Sequence, residues 1–151
     1  MSTPEEREVD LKKATYIIKE SCGGDTNAEE YLWMLADVWR TLDDIYDQDE
    51  VVTREHMLGA LEILFLKIPT NMFYIRNQDI ILSQHLSMWN AWIASNKWED
   101  GDTTEKIYSH VWRYTIHEVV PIVALITQGY EKMNIISDKI RKLFKTKLGE
   151  E

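Results

Sequence analysis

A single cysteine, Cys22, stands in 151 residues. It excludes an internal disulfide, so a reducing compartment and a packed or idle thiol are expected. Only three prolines and six glycines are present, too few for the repeated tight turns of an all-β sandwich. No apolar run approaches the roughly 20 residues of a membrane span. The strongest, Val119 to Thr127 around Pro121, is far shorter. The opening Met-Ser-Thr-Pro-Glu-Glu-Arg-Glu lacks the basic start and apolar stretch of a secretory signal. A cytoplasmic protein with no membrane partner is expected. Glycine-rich nucleotide loops, the GxSxG elbow and the HExxH zinc signature are all missing. No cofactor and no metal follow from motif alone.

What is present is a large apolar share, 44%, with six Trp and seven Tyr. That excludes a chain too poor in large side chains to fold. Net charge is −9 and unevenly spread. Residues 1–50 hold 14 acidic and 5 basic residues, while residues 51–151 hold 12 of each. Within the balanced part, Lys132 to Lys147 gathers six cations against Asp138 alone.

Apolar spacing predicts an all-α, single-domain bundle of five to six helices over residues 1–151. The first begins at Thr3 as N-cap with Pro4 in its first turn, and stops at Gly23-Gly24. The second starts after Asp25 or Thr26 and carries Tyr31, Leu35, Val38, Leu42 and Ile45 on one face. The third opens at Thr53-Arg54-Glu55-His56, is predicted to bury Leu58, Leu61, Leu64, Phe65 and Ile68, and ends or kinks at Pro69. A fourth runs from about Asn71 or Asn77 to Asn96. The fifth spans Thr104 to about Thr127, is apolar on most sides and is predicted to be the most buried, bent at Pro121. Gly129 breaks it, and the sixth turns Met133, Ile136, Ile140 and Leu143 inward and its lysines outward. Short connections predict antiparallel packing of successive helices.

The strongest cluster that could carry chemistry is Asp37, Asp43, Asp44, Asp47, Asp49 and Glu50. Asp37, Arg40, Asp44 and Asp47 share a helical face with Trp33. Grouped carboxylates suit Mg²⁺, which takes oxygen ligands. The plain alternative is a solvated face on which Arg40 pairs with Asp37 and Asp44, and that is the reading adopted. His110 and His117 lie two turns apart, about 10.5 Å, too far to share one metal. His85 sits among Ile81, Met88 and Trp89 and reads as a hydrogen-bonded core histidine. Glu62 and Glu118 fall within apolar helices and, if buried, need partners such as Arg76 or Arg113. The aromatics Phe73, Tyr74, Trp89, Trp92, Trp98 and Trp112 read mainly as core, with a small pocket beside Asn71, Asn77 and Asn90 as the alternative. The basic tail lacks interleaved aromatics apart from Phe144, so nucleic acid is not the expected partner.

Two resemblances bear on function. Leu42-Asp43-Asp44-Ile45-Tyr46-Asp47 resembles the Asp-Asp-x-x-Asp motif of class I terpene synthases, which implies aspartates holding Mg²⁺ against a diphosphate. The second motif of that family would fall on Asp79, Ser83 and Ser87, where the final carboxylate is missing. The chain is also about half the length of that fold, and the six-residue match is read as coincidence. Asn71-Met72-Phe73-Tyr74, Trp89-Asn90-Ala91-Trp92, Trp98-Glu99 and Gly129-Tyr130 together resemble small uncharacterised helical proteins of tailed phages. That resemblance implies a viral accessory protein in the host cytoplasm, and supplies no catalytic residues. The expected function is a non-enzymatic interaction or accessory protein acting by self-association or on a host or viral protein. The alternative is a small Mg²⁺-dependent enzyme acting on a phosphorylated substrate. The expected binding residues are Trp33, Asp37, Arg40, Asp44, Asp47, Arg76, His85 and Glu118.

Overall fold

The computed structural model describes residues 4–48 and 50–145. Among them are seven helices and no strand. Helix α1 is Pro4–Cys22, α2 Thr26–Asp47, α3 residues 54–70, α4 Met72–Arg76, α5 Gln78–Trp98, α6 residues 103–128 and α7 Tyr130–Phe144. The all-α expectation holds, but the count of five to six does not. Of the two expected starts of the fourth helix the structure has the one at Asn77, and Met72–Arg76 is a helix of its own: Asn77 leaves helical geometry (φ −123°, ψ 21°) and turns its side-chain amide back onto the Phe73 carbonyl. The expected Thr3 cap lies outside the described residues.

Helix starts follow their capping residues. Asp25, Thr53 and Asn71 each accept a bond from a backbone N–H three residues on, and Asp102 forms a capping box with Glu105. The chain forms two compact units, residues 25–78 and residues 1–24 with 79–151.

In the unit of residues 25–78, α2 packs on α3 and α4. Tyr31, Leu35 and Val38 of the predicted face are buried, whereas Leu42 is half-buried and Ile45 exposed. Tyr31 is fully enclosed, its ring 5.8 Å from Phe73 and 6.3 Å from Tyr74. The Asn71 amide donates to the Asn27 carbonyl at 3.0 Å and ties the start of α4 to the start of α2.

Helix α3 departs from the expected pattern. Regular α-helix over Arg54–Glu62 gives way to a π-helical turn, Ile63–Lys67, before Ile68–Thr70. Pro69 is the physical reason: it has no N–H, and in a regular helix its ring would meet the carbonyl of Phe65. In the wider turn the Ile68 N–H reaches back five residues to Ile63, and the Thr70 hydroxyl donates to the Leu66 carbonyl. The extra residue per turn swings Ile68 round to join Ala60 and Ile63, which are the buried side chains of this helix. Leu58, Leu61, Leu64 and Phe65, expected in the core, are exposed.

In the other unit α1, the second half of α6 and α7 pack together, burying Ile17, Ile18, Val119, Val120, Val123, Ala124, Ile136 and Ile140. The second half of α6 and α7 follow one another in the chain, whereas α1 joins them from the far end of the sequence. Cys22 is buried at the end of α1. The last carbonyls of α1 lack intrahelical donors and are met from α6: Thr127 donates to Ser21, and the Gln128 amide donates to Glu20 and Ser21. Gly23 follows with φ +57°, and a Cβ there would lie 2.9 Å from the Gln128 side chain. Only the second half of α6 is deeply buried. In its first half Ser109 is buried and donates to the Ser95 carbonyl of α5 at 2.7 Å, while Ile107 and Val111 are exposed. The halves meet in a 3₁₀ segment, Tyr114–Glu118, just before Pro121. No helix of the described residues is long and apolar enough to cross a membrane.

Candidate functional site

The largest departure from ordinary burial lies on α3. Met57, Leu58, Leu61, Leu64, Phe65 and Leu66 are each 42–73% exposed. Met57, Leu61, Leu64 and Phe65 recur at four, three and one, the spacing of one helical stripe. Met72 and Ile75 of α4 are exposed in the same unit. Single exposed leucines are normal, but six large exposed apolar side chains on one helix concentrate apolar surface in the way that marks binding surfaces. Glu55, Leu58, Glu62 and Leu66, spaced at three, four and four, follow one edge of the stripe. Glu62 is bound by Lys67 at 3.3 Å.

The expected binding residues fall into both units. Trp33, Asp37, Arg40, Asp47 and Arg76 are exposed and Asp44 is half-buried, all within residues 25–78. Asp37, Asp44 and Asp47 do lie along one helix, but among the described residues Arg40 pairs with neither Asp37 nor Asp44. No group of three His, Cys, Asp or Glu able to hold a metal ion forms among the described residues. Asp49 lies outside them. His85 and Glu118 belong to the other unit. His85 is half-buried on α5, and burial lowers its pKa. The partner of Glu118 is neither Arg76 nor Arg113. It is Arg141 of α7, which donates to both carboxylate oxygens at 2.8 Å. Arg113 instead holds Glu99 at 2.7 Å.

A pocket of ≈ 420 Å³ opens where the 3₁₀ segment of α6 meets the end of α7, lined among others by His110, Tyr114, His117, Glu118, Arg141 and Phe144. The His117 ring stacks on Phe144 at 4.1 Å and 8° and on Tyr114 at 5.7 Å. Burial pushes its pKa down to about 4, against a smaller opposing effect of a backbone hydrogen bond with Tyr114. Neutral His117 therefore fills an aromatic stack. His110 meets Tyr114 edge-on at 5.3 Å. Two of the charged residues lining the pocket, Glu118 and Arg141, pair with each other.

A second electrostatic centre is structural. Glu20 on α1 accepts from Lys132 at 2.9 Å and from Lys139 at 2.7 Å, both on α7. The two ammonium groups hold its carboxyl below the ordinary range, against a smaller opposing effect of burial.

Of these features, the α3 stripe is not legible as a surface from sequence, because its apolar spacing is also that of a core-facing helix. A signal is present in the sequence: Ile63-Leu64-Phe65-Leu66 is apolar all round its turn, and a helix that packs on one side cannot bury every face.

No protein-family model matches the chain, and neither a curated protein nor a solved structure matches it.

Proposed function

We propose that this chain is a non-enzymatic protein-interaction protein and that the apolar stripe of α3 is its docking surface. The observation that carries the reading is the exposure of Met57, Leu58, Leu61, Leu64, Phe65 and Leu66 on one helix. Leaving that much apolar area in water forgoes stabilisation of about 25 cal/mol per Å², which a bound partner would restore. The resemblance to helical proteins of tailed phages would make this an accessory role within a host.

The test compares wild-type chain with a Leu61→Ser/Phe65→Ser variant, each purified under native conditions and weighed in solution at low and high salt. A stoichiometric partner or a defined oligomer should accompany the wild type and be absent from the variant. A wild-type chain that stays monomeric at every salt concentration and carries nothing would end this reading.

A further inference from the structure

We propose that the occupant of the α3 stripe is a cationic amphipathic helix of another protein, rather than a second copy of this chain. The inference rests on the docking reading above and adds the chemistry of the partner.

Charge decides between the two occupants. Residues 25–78 contain 11 acidic and 4 basic residues, a net of −7, whereas the remaining residues contain 15 and 13, a net of −2. The unit that exposes the apolar stripe therefore carries most of the negative charge of the chain. Glu50 and Glu55 are both exposed, and neither forms an ion pair among the described residues. Glu55 stands at the edge of the stripe, one turn before Leu58. Lys67, the cation nearest the other end, is already engaged by Glu62. A second copy would bring up a unit of the same net charge, with its own Glu55 at the edge of its stripe, and like charges brought together across an interface are unfavourable. A basic partner gains from the same field, in approach rate and in register.

Shape agrees with charge. From Met57 to Leu66 the stripe extends over roughly 14 Å of helix, which matches about two and a half turns of a partner helix. Such a partner would present apolar anchors at i, i+3 or i+4, and i+7. Met57 can adapt to different anchors, because its unbranched and flexible side chain repacks at little cost. The partner is accordingly a segment with leucine-like residues on one face and lysine or arginine on the flanks.

The experiment uses the full chain and two labelled 14-residue synthetic peptides with helical Leu spacing, one with lysine at every polar position and one with glutamate. Binding is read by fluorescence anisotropy, and the mass of each sample by sedimentation. The Leu/Lys peptide should bind saturably, and the Leu/Glu peptide should not. Leu61→Ser/Phe65→Ser should weaken binding by about tenfold or more, as loss of central apolar anchors does. Glu50→Lys/Glu55→Lys should weaken it about tenfold at low salt, with the difference shrinking as salt screens the charges. Circular dichroism identifies folded variants, and Leu64→Ser replaces any that fails. Equal binding of both peptides, or Leu/Lys binding indifferent to the stripe variants, overturns the inference. A chain that dimerises through the stripe and binds neither peptide also overturns it, while leaving the docking surface standing. A monomer that binds neither peptide removes both.

Discussion

At Glu20 three side chains distant in sequence settle one another. Its carboxylate is half-buried and accepts from Lys132 and Lys139. Removing it would leave two ammonium groups side by side on α7 with no acceptor. Glu20→Ala should therefore lower stability by up to about 1 kcal/mol, the upper end for partly exposed pairs, as read by denaturant unfolding. The sign of the pH effect follows from the direction of the shift. Because the folded pKa of Glu20 lies below its unfolded value of 4.5, its contribution is intact above about 4.5 and disappears as pH falls through the folded value. His117 acts at higher pH. Its folded pKa of about 4 lies below the unfolded 6.5, so the unfolded state takes up the proton first and stability falls as pH drops from 6.5 towards 4. His85, also lowered, adds to the same limb. In His117→Phe, which keeps a ring against Phe144, the decline of melting temperature between pH 6.5 and 4 should be shallower than in wild type. An unchanged slope would show that His117 is not the group titrating. Gly59 offers a test of the opposite sign: it lies in α3 with nothing within 4 Å of an added Cβ. Gly59→Ala should stabilise by about 0.5–1 kcal/mol through helix propensity.

At the scale of an element, α3 shows how one residue redirects a face. The spacing of Leu58, Leu61, Leu64, Phe65 and Ile68 predicts a single buried stripe, and periodicity of that kind assumes 3.6 residues per turn throughout. Pro69 breaks the assumption by forcing a π turn four residues ahead of itself. Ile68 moves to the side of Ala60 and Ile63, and the leucines face water. Unfolding measurements can tell the two faces apart. Ile63→Ala should cost about 2–5 kcal/mol, as a core truncation does, whereas Phe65→Ser should stay within about 0.5 kcal/mol, as a surface change does. Comparable costs at both positions would place Phe65 in the core and remove the docking surface. Helix α6 shows the milder case: Pro121 follows a 3₁₀ segment, and the apolar residues ahead of it, Ile107 and Val111, stay exposed while Val119, Val120 and Val123 are buried. An apolar sequence on most sides of a helix did not translate into burial along its whole length.

At the scale of the whole molecule, charge is partitioned by unit: residues 25–78 hold −7 of the total of −9. Self-repulsion of that size weakens a folded state and is relieved by screening, so melting temperature should rise as NaCl is increased from about 20 to 200 mM. A fall would show that the ion pairs at Glu20, Glu99 and Glu118 outweigh the repulsion. The sequence by itself determined the all-α class, helix starts near Asp25 and at Thr53, and the break at Gly129. Those outcomes rest on hydrogen bonds and backbone conformations confined to neighbouring residues. It did not determine which side of α3 is buried, nor that Glu20 and Glu118 find their cations on α7, separated from them by 112 and 23 residues. Burial and long-range pairing depend on which elements arrive beside a side chain, and only the packed structure supplies those neighbours.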